Sequence, residues 1–245
     1  MPFTISHAIV AYPLKKIGKS SLSTSGLVVG SMLPDFEYYA RMSLIGGYGH
    51  DPRFVFTLGL LIGLLILYIY HNLIRDVFIS HLPDFFQSRL GIFIGFEWNE
   101  YFSSNWMKVI LSMLLGISTH FLWDGFTHGP EQFAFVDNTF LMLEYKGMKM
   151  YEWHFWVGSI FGLLFIGLLF LRIKPKPIIG ATVGKKRVYW IVVLLLFIVI
   201  TYIRYIYGIS DYQIYIQYLV ISMSAMGLSI LFTSLVFQNL LRNET

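Results

Sequence analysis

Apolar residues in this chain gather in four long runs, at positions 54–70, 156–171, 189–207 and 214–237, each about the length a helix needs to cross a hydrocarbon core. A fifth run, 106–124, is less apolar and ends in polar residues. Two shorter stretches precede the first run. Residues 2–14, with Thr4 and Ser6 placed as helix caps ahead of Ala8-Ile9-Val10-Ala11, predict a short helix lying on or dipping into a membrane. Residues 26–33 stop at Pro34-Asp35-Phe36-Glu37-Tyr38 and are too short to span, so a buried or re-entrant helix is expected there. Gly59 and Gly63 form a small-xxx-small pair suited to close helix approach. With no internal repeat and no low-complexity linker, the expected fold is all-α: one integral membrane helical bundle of about five spans over residues 1–245. Residues 1–53 supply interfacial or re-entrant helices, 54–171 the first three spans, and 172–245 a basic loop and the last two.

Composition supports that class. With 56% apolar and only 13% charged residues, the chain has too little polar side chain to cover an ordinary soluble domain. The 18% aromatic content suits belts at both lipid boundaries. Cysteine is absent, which excludes disulfides and thiolate metal ligands. The net charge of +4 is thinly spread, so no nucleic-acid footprint is read. No basic segment followed by a sustained apolar stretch opens the chain, so the first span is expected to act as the insertion signal. Six basic residues between Arg172 and Arg187 place that loop in the cytoplasm, and the C-terminus and the loop after the first span with it. The N-terminal segment then lies outside, although Lys15, Lys16 and Lys19 argue the other way.

The chemistry concentrates where the second span ends. His120, Asp124 and His128 are spaced four residues apart, so they share one stripe of a helix that Gly129 and Pro130 bring to a stop. Topology places His50, before the first span, and His154, before the third, at the same face. His7, Asp35 and Glu37 join them, because no full crossing separates the N-terminal segment from the first span. His71 and His81 fall on the opposite side. Imidazole and carboxylate are the donor set of zinc, manganese or iron, and metal-activated water is a nucleophile for esters and phosphoesters. Each residue also has a plainer reading. Asp35 caps a helix starting at Phe36 with Glu37 in its first turn, and His50 and His154 are hydrogen-bonded boundary residues. Asp124 is the hardest to explain that way, since a carboxylate ending an apolar helix is costly unless paired or facing a cavity. Arg204 is expected to snorkel to an interface.

At these residues the chain resembles a family of uncharacterised bacterial multi-span membrane proteins described only as a domain of unknown function. The resemblance is carried by Met1-Pro2-Phe3-Thr4-x-Ser6-His7, by Gly30-Ser31-x-x-Pro34-Asp35-Phe36-Glu37-Tyr38 and by His120-x-x-x-Asp124-x-x-Thr127-His128, and it covers roughly the first 170 residues. The motif order is similar to that of membrane-bound metal-dependent hydrolases and, more remotely, to zinc-dependent phospholipases C. A clear His-x-x-x-Glu near His154, which the latter would bring, is missing. The resemblance implies a divalent metal, zinc or else manganese or iron, held by His7, Asp35, His120 and Asp124, with His50 and His128 joining them. Asp35 or Asp124 would act catalytically.

The expectation is therefore a membrane-embedded metal-dependent hydrolase of the bacterial inner membrane, its site extracytoplasmic. Its partners would be membrane lipids and a lipid or phosphoester substrate. The alternative is a non-catalytic membrane protein whose polar cluster binds a structural metal or serves transport or an accessory role. Transport would require polar residues through the midplane, and the runs 54–70, 156–171 and 214–237 contain almost none.

Overall fold

In a computed structural model of the protein, which describes residues 3–129, 138–177, 180–209 and 213–242, the fold is helical with almost no strand. Met1, Pro2 and Pro130, which the sequence reading used, lie outside the described residues. Five helices are long and apolar enough to cross a membrane: α4 (Pro52–His81), α6 (Trp98–Thr127), α8 (Met150–Arg172), α9 (Val183–Ile206) and α10 (Ile214–Arg242). The shorter helices are α1 (Ala11–Gly18), α2 (Thr24–Met32), α3 (Phe36–Arg41), α5 (Asp84–Leu90) and α7 (Asn138–Met142). A small hairpin, β1 (Glu144–Tyr145) with β2 (Met148–Lys149), turns through Lys146 and Gly147, whose φ values are 53° and 79°. The short N-terminal helices thus exist, with a 3₁₀ segment, Thr4–Val10, ahead of α1.

Span boundaries differ from the apolar runs for local reasons. α4 begins at Pro52 because Asp51 caps it, accepting the Arg53 amide proton at 2.9 Å, and proline suits the first helical position. It runs past Tyr70 to His81, carrying π-helical turns at Val55–Gly59 and Tyr70–Ile74, and stops where Leu82, before Pro83, turns extended. α6 starts at Trp98 and bends at Asn105 (φ −135°), whose side chain donates to the Tyr101 carbonyl at 2.9 Å. Thr4 and Ser6 are not caps. Both side chains form long-range bonds instead.

The chain forms two compact units. The first comprises residues 1–35, 49–64 and 101–172. Within it α2 lies against α6 with backbones nearly touching. A Cβ at Gly116 would come within 2.6 Å of the Leu27 carbonyl oxygen, and one at Gly26 within 2.7 Å of that of Val109. Small residues at this crossing are what allow it. Of the predicted pair, Gly63 faces Leu33 and Met113, whereas Gly59 meets only its own helix. The Thr4–Val10 segment is fixed to α8: the Ser6 hydroxyl donates to the Ser159 carbonyl at 2.9 Å, and the Phe3 amide donates to the Ser159 hydroxyl at 2.9 Å.

The second unit comprises residues 36–48, 65–100 and 173–245. Its core joins Val77, Tyr189, Val193 and Phe237. Two polar anchors are built into it. Arg75, buried in α4, donates to Asp76 at 2.6 Å and to the Phe96 carbonyl at 2.8 Å, and contacts His71 Nδ1 at 3.0 Å. Gln217, buried in α10, accepts from the Leu44 amide and donates to the Met42 carbonyl. Arg204 donates to the Met42 and Gly208 carbonyls.

Candidate metal centre

Three stretches of the first unit bring five ionisable side chains to the C-terminal end of α6. The 3₁₀ geometry of Thr4–Val10 matters here, because with three residues per turn Thr4, His7 and Val10 eclipse one another on a single face. Thr4 and His7 are almost fully buried. The Thr4 hydroxyl donates to Asp35 Oδ2 at 2.6 Å, fixing the carboxylate that ends the 3₁₀ turn Leu33–Asp35. His50 stands just before the cap of α4, and His120 and Asp124 come from successive turns of α6.

His120 is at the centre. Its Nδ1 lies 2.8 Å from the Ser31 carbonyl oxygen, which only accepts, so Nδ1 carries a proton and Nε2 faces inward. From Nε2 the distances are 3.2 Å to Asp124 Oδ2, 3.5 Å to Asp35 Oδ1 and 3.5 Å to His50 Nε2. His50 Nε2 is 3.3 Å from Asp124 Oδ2 and 3.6 Å from Asp35 Oδ1. A tetrahedral cation with bonds of about 2.0–2.1 Å separates its donors by roughly 3.3 Å, so these atoms already stand at a metal's spacing. His7 stacks on His120, ring centroids 4.1 Å apart, with Nε2 3.5 Å from Asp124 Oδ1.

The donors fit a cation on a second count. Both His7 nitrogens, Asp35 Oδ1 and Asp124 Oδ1 are buried and make no hydrogen bond among the described residues. Burying such atoms unpaired is costly, and one proton on His120 Nε2 can point to only one of the oxygens around it, whereas a central cation serves them all. Two overlapping groups could hold a metal ion, His7–Asp35–His120 and His50–His120–Asp124. Both include His120, so they overlap at one residue. Burial pushes His7 well below the usual imidazole value, with His120 beside it adding to the shift, which keeps the ring neutral and able to ligate. Burial likewise raises Asp35, and the nearby Asp124 carboxylate adds to this. His50 is the one member that reaches solvent, its side chain 21% exposed against 0–1% for the others.

The remaining candidates are placed elsewhere. His128, past the end of α6, directs Nδ1 back to the Asp124 carbonyl at 3.0 Å and stands 3.9 Å from Asp124 Oδ2, outside both donor groups. The helix has already ended, so the i+8 position leaves the stripe. Burial lowers its pKa to about 4. Glu37 accepts from Arg41 and from the Gly47 and Tyr48 amides. His154 bonds the Met150 carbonyl through Nδ1 at 2.7 Å and meets Phe140 edge-on, ring centroids 6.1 Å apart. Sequence reasoning did not find the supports, Thr4 as donor to Asp35 and the Ser31 carbonyl behind His120. The eclipsed 3₁₀ spacing of Thr4 and His7 was the available signal for the first.

Beside the centre, α6, α8 and Val10 enclose a cavity of about 450 Å³ whose wall is almost entirely apolar. Trp123 separates the two, its ring 5.3 Å from that of His7.

Fold and centre together define a membrane protein with five candidate spans and a buried histidine–aspartate cluster that could hold a metal ion. The chain belongs to the family described as a domain of unknown function, DUF4184, which matches residues 1–239. That match extends well past the first 170 residues on which the resemblance was read. No curated protein and no solved structure matches the chain.

Proposed function

We propose that the protein is a membrane-embedded metal-dependent hydrolase acting on an ester or phosphoester of a lipid or lipid-linked substrate. The observation that carries this reading is the convergence of His7, Asp35, His50, His120 and Asp124 at metal-donor spacing beside an apolar cavity. The motif order similar to membrane-bound metal-dependent hydrolases supports the reaction class. A divalent cation, zinc first and manganese or iron otherwise, would supply Lewis acidity, lowering the pKa of water and polarising the scissile group.

The chain's own residues divide the work. His120, oriented by Ser31, and His50 would offer their Nε2 atoms to the cation, and Asp35 is held by Thr4 so that Oδ1 faces inward. Asp124 Oδ1 makes no hydrogen bond and is the atom placed to orient an attacking water and take its proton. Substrate approaches over His50, the exposed edge of the cluster. We place the protein in the bacterial inner membrane with this edge extracytoplasmic, from the basic loop Arg172 to Arg187. Reporter fusions flanking that loop test the placement, and an external signal there inverts it.

The decisive experiment is turnover of a phospholipid and phosphodiester panel by purified, zinc- or manganese-loaded protein, against Asp35→Asn and Asp124→Asn. Metal-dependent hydrolysis abolished in both variants is expected. Complete inactivity of folded, metal-loaded protein across the panel overturns the hydrolase and leaves a structural metal centre, a reading favoured by the near-total burial of four of the five donors.

A further inference from the structure

The cavity beside the metal centre has a chemistry of its own. Its wall includes Leu122, Trp123 and Phe126 of α6 and Val157, Gly158 and Phe161 of α8. Leu122, Val157 and Phe161 are 65%, 58% and 58% exposed on faces of two spans, so the cavity is continuous with the surface these helices turn to lipid. Gly158 keeps it open: a Cβ there would sit 3.2 Å from the Trp123 indole nitrogen. Two polar atoms interrupt the apolar wall. The Trp123 indole N–H makes no hydrogen bond among the described residues, and His154, tied to Met150 through Nδ1, has no bond among them at Nε2. An apolar pocket of this volume with a few placed polar groups is the form of a ligand site. Its position is also telling, since Thr119, Trp123 and Thr127 alternate along α6 with the donors His120 and Asp124.

We propose that this cavity binds one acyl chain of a membrane glycerolipid, entering between α6 and α8 from the bilayer, with its ester carbonyl accepting a hydrogen bond from the Trp123 indole. The inference deepens the hydrolase reading by naming the substrate as an acyl-ester lipid, and it rests on that reading only for the consequence, since occupancy needs no turnover. Hydrocarbon is the occupant because the opening faces lipid and the wall offers no charge partner. The ester lies at Trp123 because that donor has no partner among the described residues, and the Trp123 ring lies 5.3 Å from that of His7.

The test is photo-crosslinking in proteoliposomes of phosphatidylglycerol and phosphatidylethanolamine carrying a phosphatidylglycerol with a diazirine in one acyl chain, with adducts mapped by mass spectrometry. We expect adducts on Phe126, Val157 and Phe161 to exceed those on the lipid-facing residues Leu194, Leu195 and Ile198 of α9 about tenfold. Val157→Trp and, from the other wall, Leu122→Trp should each erase that excess while leaving α9 labelling and metal content unchanged. Both replaced residues are exposed, so folding tolerates them. Equal labelling of cavity and α9, or an excess that survives both variants, overturns the proposal. Labelling without hydrolysis refutes the hydrolase and leaves the lipid site standing. Hydrolysis of soluble esters without cavity labelling does the reverse.

Discussion

Replacing His120 tests the centre most directly, because its Nε2 lies within 3.2–3.5 Å of Asp124, Asp35 and His50 and belongs to both donor groups. A ligand present at a thousandfold over its dissociation constant stabilises the folded state by about 4.1 kcal/mol. At the roughly 2–4 °C per kcal/mol found for soluble domains of 150–250 residues, wild-type protein should melt about 8–16 °C higher with metal than with chelator. His120→Ala also removes the ring stacked on His7 and the donor to Ser31, so its absolute melting temperature falls for reasons unrelated to metal. The informative quantity is the metal-minus-chelator difference within each variant, read by thermal denaturation alongside elemental analysis. His120→Ala and Asp124→Asn should show no resolvable difference and lose bound metal. His128→Ala should keep both, since that ring bonds the helix backbone and lies outside the donor groups. Unchanged metal content in His120→Ala refutes the centre as described, and its loss in His128→Ala refutes the assignment of donors.

Three further outcomes follow from particular contacts. Thr4→Val removes the hydroxyl bonded to Asp35 and should cost about 1.5–3 kcal/mol, the range for a hydrogen bond to a charged group, in the unfolding free energy of metal-free protein; Thr4→Ser should restore it. Gly116→Ala sets a methyl 2.6 Å from the Leu27 carbonyl and 2.7 Å from the Ser31 amide, so denaturation should show a loss of about 1–3 kcal/mol and metal titration a weaker affinity through the displaced Ser31, whereas Gly59→Ala, with no neighbour nearer than 3.5 Å, should leave affinity unchanged. Gln217→Leu strands the Leu44 amide and should lower stability by about 1–3 kcal/mol in the same denaturation assay.

The five spans were legible because bilayer length and apolar run coincide, but their ends were not. Hydropathy stops the first span at Tyr70, yet the helix continues to His81, where Arg75 finds Asp76 and His71 on its own helix and the Phe96 carbonyl across the fold. The Gly59/Gly63 pair drew attention on spacing alone, while the tighter crossing uses Gly26, Gly30 and Gly116, two of them in a stretch too short to read as a span. At the centre, His120 and Asp124 were readable from a helical period, whereas His128 falls just past the helix end, 3.9 Å from Asp124 Oδ2. His7 was not readable from pattern at all. Topology put it at the right membrane face and resemblance made it a ligand, while its place depends on a 3₁₀ register that a helical period of 3.6 does not describe.

The cluster is also held from outside in a way that assigns its parts. Asp35 is fixed by Thr4, His120 by Ser31, and His7 by the bonds that Phe3 and Ser6 make to Ser159. Every support comes from within the first compact unit, so the donors are positioned before any cation arrives. Burial holds Asp35 above its usual carboxylate range, and the Asp124 carboxylate nearby adds to the shift. Positive charge among these carboxylates, whether a metal ion or a proton shared with the imidazoles, offsets their repulsion. The cluster is thus built so that it could hold a cation, and His50, its partly exposed member, is the edge open to solvent.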